Sequence, residues 1–359
     1  MERSHYLIAG SDEFVAKARA AALVEKMTPE DPLNLETVNG YVSSVDEAVR
    51  QLDSALEALQ TLPFFGGHKV VYLKDANFLG DTPMGRSEQV QNILEKLANF
   101  LGKVSAESVQ FIMSAEAVDK RRSFIKNFTR FGKMEFFDKA DISRERDLSA
   151  WIDEVDERVK AAGLKPGARV IERLVELAGN DSRALQEEIE KLCLYAHPHG
   201  EIDEAAVRAV GSGNREMVVW DLCDAITLGH SAEAVRLLRR LLAQGETEVG
   251  ILIILGGHIR LAALGRHLEE TDRLRLKIKG SYVTTELSDD ADELLPRNKK
   301  GEKPNLFRLS KVVQQTGKRN AAHWFRAIEI LHQAHNQIFL SGADRTRILE
   351  TTILELCVA

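Results

Sequence analysis

The first 140 residues switch repeatedly between two hydrophobic periods, and this switching restricts the possible folds more than any other feature of the chain. "HYLIAG" reads as a short buried strand ending in a glycine turn, and Phe14 to Lys26 is alanine-rich and helical. "LETVNGY" is a second candidate strand. From Ser44 onward Val45, Val49, Leu52, Leu56 and Leu59 recur at three and four, the spacing of one helix face. "KVVYL" and "SVQFIM" are β-branched or aromatic runs. Between them Val90, Ile93, Leu94, Leu97 and Leu101 mark another amphipathic helix, and "KMEFF" is a last extended piece. Strands alternating with helices predict an α/β layer on a parallel sheet with right-handed crossovers.

After "DKADIS" the strand signals largely stop. Asp147 to Ala162 is helical around Trp151, Ile152, Val155 and Val159, and Gly163 and Pro166 close it. Val170, Ile171, Leu174 and Val175 make a second helix. Asp181 or Ser182 caps a third that carries Leu185, Ile189, Leu192 and Cys193, and Ile202 to Val210 adds a short fourth. "GSGNRE" reads as a linker, because glycines and polar neighbours bury no apolar surface. Every strong signal beyond it is helical, and Thr271 to Asn305 is charged and loop-rich. The expected organisation is an α/β domain over 1–140, a small helical domain over 141–210 and an all-helical domain over 211–359.

The formal charge of −7 argues against nucleic-acid binding over the whole surface, which needs a basic excess. Cys193, Cys223 and Cys357 lie far apart without CxxC spacing, so they indicate neither a zinc site nor a disulfide framework, and a reducing cytoplasm fits. "MERSHYLIAGSDEF" holds too few apolar residues for a signal segment. "VGILIILGGHI", interrupted by Gly256, Gly257 and His258, reads as too short to span a bilayer, so no membrane partner is expected.

A βα unit at the start invites a search for a phosphate loop. "AGSDEFVAK" lies where one would, but Gly10, Ser11 and Lys17 lack GxxxxGK[ST] spacing. In "KVVYLKDAN", Lys74 and Asp75 replace the paired Asp-Glu that would hold magnesium. His197 and His199 flank Pro198, and His332 and His335 sit one helical turn apart, with no converging ligand set. No GxSxG elbow or HExxH helix appears. The expectation is no catalytic residue, no cofactor and no metal.

Two stretches carry interaction signals. "DKRRSFIKNFTRFGK" sets Arg121, Arg122, Lys126, Arg130 and Lys133 around Phe124, Ile125 and Phe128, which makes one helix face basic and another apolar. That face either is simply solvated or contacts phosphates within an assembly. "RNKKGEKPN" carries the same ambiguity. "LPFFGG" places two aromatic rings between a proline and a glycine pair. The residue before a proline avoids the helical region, so the long helix ends near Leu62, and Pro63 starts a new turn. Gly66 or Gly67 supplies the positive φ that stops it. Phe64 and Phe65 then ride one short turn, either with one ring outward as an anchor or with both folded back on the sheet.

Taken in order, "HYLIAGSDEF", "LPFFGGHKVVYLKDAN", "VDKRRSFIKNF" and "DSRALQEEIEKLCLYA" resemble the delta subunit of the bacterial DNA polymerase III clamp loader. The run from "VVWDLCDAITLGHSAEAV" to "RLAALGRHL" resembles the opening of that family's collar. The resemblance implies an AAA+-like α/β domain without a working nucleotide site, a helical lid and a helical collar used for oligomerisation. It implies a non-catalytic subunit of the polymerase III holoenzyme that binds the sliding clamp and opens its ring for loading onto primed DNA. By position the clamp-binding residues are Leu62, Pro63, Phe64 and Phe65, with Phe64 larger than the residue the family more often has there. Arg121, Arg122, Lys126 and Arg130 are the residues that could face DNA. The implied partners are the clamp, the ATPase and delta-prime subunits, and primer-template DNA. The alternative reading is an ATP-hydrolysing AAA+ motor subunit of a replication complex.

Overall fold

The computed structural model describes residues 5–28, 31–61, 67–104, 108–167, 169–211, 214–279, 282–297, 303–317, 319–340 and 342–358. Two compact units divide it at Lys139 and Ala140.

The first unit is a sheet wrapped by helices. Its elements run β1 (His5–Ala9), α1 (Glu13–Met27), β2 (Leu35–Asn39), α2 (Val45–Gln60), β3 (Lys69–Ala76), α3 (Glu88–Leu101), β4 (Val109–Ala115), α4 (Ser123–Phe128) and β5 (Gly132–Phe136). The five strands lie in the order β2-β3-β4-β1-β5, and every neighbouring pair is parallel. This matches the α/β layer expected from the alternating periods. The pleat explains how one sheet feeds two cores. Leu7, Val71, Leu73, Phe111 and Met113 join the core made with α2, α3 and α4, while Ile8, Val70, Tyr72 and Ile112 join residues of α1 on the other face.

The second unit is helical, with two small pieces of sheet. Its first part runs α5 (Glu145–Ala161), β6 (Lys165–Pro166), α6 (Val170–Ala178), α7 (Ser182–Ala196), β7 (Glu201–Ile202) and α8 (Glu204–Val210). Then come α9 (Asn214–Thr227), α10 (Ser231–Ala243), α11 (Glu248–Glu270), β8 (Leu274–Lys279) and β9 (Tyr282–Leu287). The chain ends with α12 (Asp289–Leu294), α13 (Leu306–Thr316), α14 (Ala321–Leu340) and α15 (Arg345–Val358). Part of the stretch read as charged and loop-rich is therefore an antiparallel ribbon, β8 on β9. "LRLKIK" alternates apolar and basic residues, the period of a strand with one wet face.

One apolar cluster of this unit joins Leu148, Trp151, Leu174, Leu185 and Val207 to Leu306, Phe307 and Leu309 of α13. The helices of 141–210 thus share their core with a helix about a hundred residues further on. A second cluster draws on α9, α10, α11, α14 and α15 around Trp324. Helix α11 is the helix its sequence predicts, and only its apolar length exceeds the expectation. It continues through Gly256, Gly257 and His258 to Glu270, and by length and composition alone it could cross a membrane. Ile251, Leu255, Ile259 and Ala262 are instead buried in the second cluster, which makes it a core helix.

A buried ionic network crosses this unit. Arg173 of α6 reaches Glu176 at 2.8 Å, Glu204 at 2.9 Å and Asp221 at 2.5 Å. Lys311 of α13 pairs with Glu176 and, at 2.8 Å, with Asp224, and Arg308 lies 3.3 Å from Asp224. Arg308 also donates to His258 Nδ1 at 3.1 Å and covers the Trp220 ring at 4.2 Å. Burial and the neighbouring Arg308 hold His258 neutral, with its pKa lowered to about 3.

Candidate functional site

Open α/β sheets hold their ligands at the carboxyl ends of the strands. At that end of the first unit a cavity of about 320 Å³ is lined by Glu13, Lys17, Tyr41, Asp75, Ser114 and Glu116. The turn from β1 into α1, where a phosphate loop would open, is already filled. Asp12 caps α1, its carboxylate accepting from Val15 N at 3.2 Å, so an acidic side chain occupies the helix end that would favour a phosphate. Asp12 N donates to Phe137 O at 2.9 Å, and Ser11 N donates to Asp138 Oδ1 at 3.1 Å. A Cβ on Gly10 would lie 1.9 Å from Phe137 O, so glycine is required there for close backbone approach rather than to cradle a ligand.

Lys17 is committed to Glu13 at 3.0 Å. Burial together with the facing Glu13 carboxylate raises the pKa of Glu116. Asp75 adopts a left-handed conformation, φ 57°, and its N–H donates to Ser114 Oγ at 2.8 Å. A polyphosphate would meet Asp12, Glu13, Asp75 and Glu116 with Lys17 already paired, an arrangement unlike that of a nucleotide-hydrolysing site.

Leu62, Pro63, Phe64 and Phe65 lie outside the described residues; the ends that bracket them are described. Helix α2 ends with Thr61 N donating to Glu57 O at 3.2 Å and Thr61 Oγ1 donating to Ala58 O at 2.9 Å. The chain resumes at Gly67 with φ 86°, a conformation that favours glycine, as the sequence led us to expect at one of these two glycines. His68 Nε2 lies 3.1 Å from Met27 O, and Lys69 then opens β3.

The basic stretch sorts into two roles. Arg121 is exposed and paired with Asp119 at 2.8 Å and with Asp81 at 3.4 Å. The hydrogen bonds from Arg121 hold the Asp119 carboxyl down at about 2. Lys126 and Arg130 are exposed. Arg122 turns inward, its side chain only 12% exposed, and donates to Gly85 O and, at 3.1 Å, to Gly80 O. Its charge is used to tie down the loop before α3. Phe124, Ile125 and Phe128 fill the apolar face, as their helical spacing predicted.

The fold and this strand-end site define a parallel α/β unit with a filled phosphate-loop position, followed by a helical region. Residues 6–135 match the family model described as "DNA polymerase III, delta subunit". The DNA polymerase III subunit delta of Bacillus subtilis (strain 168) is 21% identical over 236 residues, which cover 66% of this chain and 66% of that protein. The match therefore spans about two thirds of the relative's length. The solved structure of the Bacillus subtilis DNA clamp loader delta protein superposes with a TM-score of 0.54 at 17% identity, covering 100% of this chain and 96% of that one. The resemblance read from the sequence holds: this chain is related to the DNA polymerase III delta subunits and shares their fold.

Proposed function

We propose that the chain works as the delta subunit of a clamp loader in DNA replication, binding the sliding clamp and opening its ring without hydrolysing ATP itself. The observation that carries the proposal is the family match over 6–135, which contains the whole "LPFFGG" segment and its two flanking elements. Leu62 and Pro63 shape a turn from which Phe64 and Phe65 enter an apolar pocket on the clamp. Burying each ring contributes about 1.5–3 kcal/mol, enough for the pair to favour a clamp conformation that a closed ring does not accept. The carboxylate-lined strand ends support a non-catalytic role, since ATP held by sibling subunits would then control when the turn is presented.

The three parts have separate duties on this reading. Residues 1–140 bind the clamp, 141–210 act as a lid, and 211–359 form a collar that joins the ATPase and delta-prime subunits. Arg121, Lys126 and Arg130 are offered to primer-template phosphates in the assembly, and Arg122 positions the loop beside them. The work takes place in the cytoplasm. The test is clamp affinity of Phe64→Ala/Phe65→Ala in folded protein, with a loss of tenfold or more expected for two buried rings. Unchanged affinity sinks the anchor, and ATP turnover by the purified chain sinks the non-catalytic role.

A further inference from the structure

Lys69 is a lysine where stability alone favours an apolar residue. Its side chain is 7% exposed, and its ammonium sits 2.9 Å from Glu36 Oε2 on the neighbouring strand. The same ammonium donates to Thr61 Oγ1 at 2.5 Å. Thr61 in turn donates its hydroxyl proton to Ala58 O, so that hydroxyl both accepts from Lys69 and donates to the last turn of α2. Thr61 directly precedes residues 62–66, and Lys69 follows them by three residues. One buried cation therefore ties the end of α2 to the start of β3. The lysine is buried while Glu36 is 48% exposed, so the pair adds little to stability, and its stronger effect is to hold one geometry.

We infer that the Lys69–Thr61–Glu36 clasp is a positioning device that sets the two ends of the clamp-binding turn, so that the turn is ready before the clamp arrives. The inference rests on the proposed role of residues 62–65 and adds the residues that hold their ends. Without the clasp the end of α2 is held near β3 by core packing alone, and a smaller fraction of molecules presents the turn correctly. Apparent affinity falls by that fraction, and the loss falls on the association rate rather than on dissociation.

The full-length chain and its cognate clamp provide the test, with association and dissociation rates measured by surface plasmon resonance. Lys69→Met is expected to slow association about five- to tenfold with dissociation nearly unchanged, and Lys69→Arg, which keeps the charge and a donor, to recover most of it. Thr61→Val removes only the hydroxyl and is expected to act in the same direction, so the question stays open to test if Lys69→Met does not fold. Chymotrypsin cleavage after Phe64 and Phe65 in free protein is a second readout, expected to quicken in both variants. If Phe64→Ala/Phe65→Ala abolishes binding while Lys69→Met and Thr61→Val leave association unchanged, the clasp is overturned and the anchor stands. If the phenylalanine variant binds normally, the anchor falls and cleavage decides: unchanged cleavage in the clasp variants overturns the clasp as well.

Discussion

The two units solve the problem of a unique structure by different means. In the sheet unit, a ladder of parallel hydrogen bonds fixes the register and the core is apolar, with Lys69 and Asp12 as its buried charges among the described residues. The helical unit has no such ladder through its middle, and it buries Arg173, Asp224 and Lys311 in one network together with His258. A one-residue slip in a strand turns every side chain to the wrong face, whereas packed helices tolerate several arrangements. On this reading the paired charges choose among those arrangements.

The sharpest way to break the contrast is Arg173→Met. It leaves Glu176, Glu204 and Asp221 short of a buried partner and is expected to cost about 3–5 kcal/mol. All three tryptophans lie in the helical unit, so their fluorescence during urea unfolding reads this loss directly. A cost below about 1 kcal/mol would remove the network from any specifying role. In the sheet unit the counterpart is Leu52→Ala at a fully buried site, expected to cost about 3 kcal/mol through the cavity it leaves. Amide exchange of the β1, β3 and β4 strands measures it.

Acid should affect both units through one buried histidine each. His5 accepts from Phe111 N at 3.1 Å, and burial lowers its pKa to about 4; His258 is lowered to about 3. Both fold as the neutral form, so the unfolded chain binds more protons below pH 6.5. Their contribution is complete above that pH and is lost as pH falls toward the folded values, with about 1 kcal/mol gone per histidine at pH 6. Histidine ring NMR checks this, and a folded-state titration near 6.5 at either site would contradict it. The smallest effect is expected for Asp12→Ala, which removes the α1 cap and costs about 1 kcal/mol by thermal unfolding.

The sheet was legible because its strands differ in period from the helices around them, and Leu7 and Ile8 show that alternation within a single strand. The β8–β9 ribbon was less legible because Arg275, Lys277 and Lys279 make "LRLKIK" read as charged, which masks the apolar alternation of Leu274, Leu276 and Ile278. Gly256 and Gly257 interrupt the apolar run without stopping the helix, because a helix held by its buried face carries them at modest cost. At the candidate site, the missing phosphate-loop spacing was readable, but the carbonyl of Phe137 that closes the turn comes from 127 residues beyond Gly10 and leaves no local signal. Lys69 was hidden inside a strand pattern that gave no hint of its partner eight residues earlier. Arg122 has the residue type expected for phosphate contact, and only its orientation separates it from Arg121.

The ionic network also bears on how the chain is made. Glu176 is synthesised 135 residues ahead of Lys311, one of the cations that neutralise it. A nascent chain that has just released α8 from the ribosome has Arg173 and Glu176 in place but lacks α13, which also supplies Phe307 and Leu309 to their shared core. The sheet unit, complete by residue 139, can close early in synthesis. The helices after it must wait for Arg308 and Lys311, so a chain that has released α8 but not yet α13 carries one finished unit and one that still lacks the cations of its network.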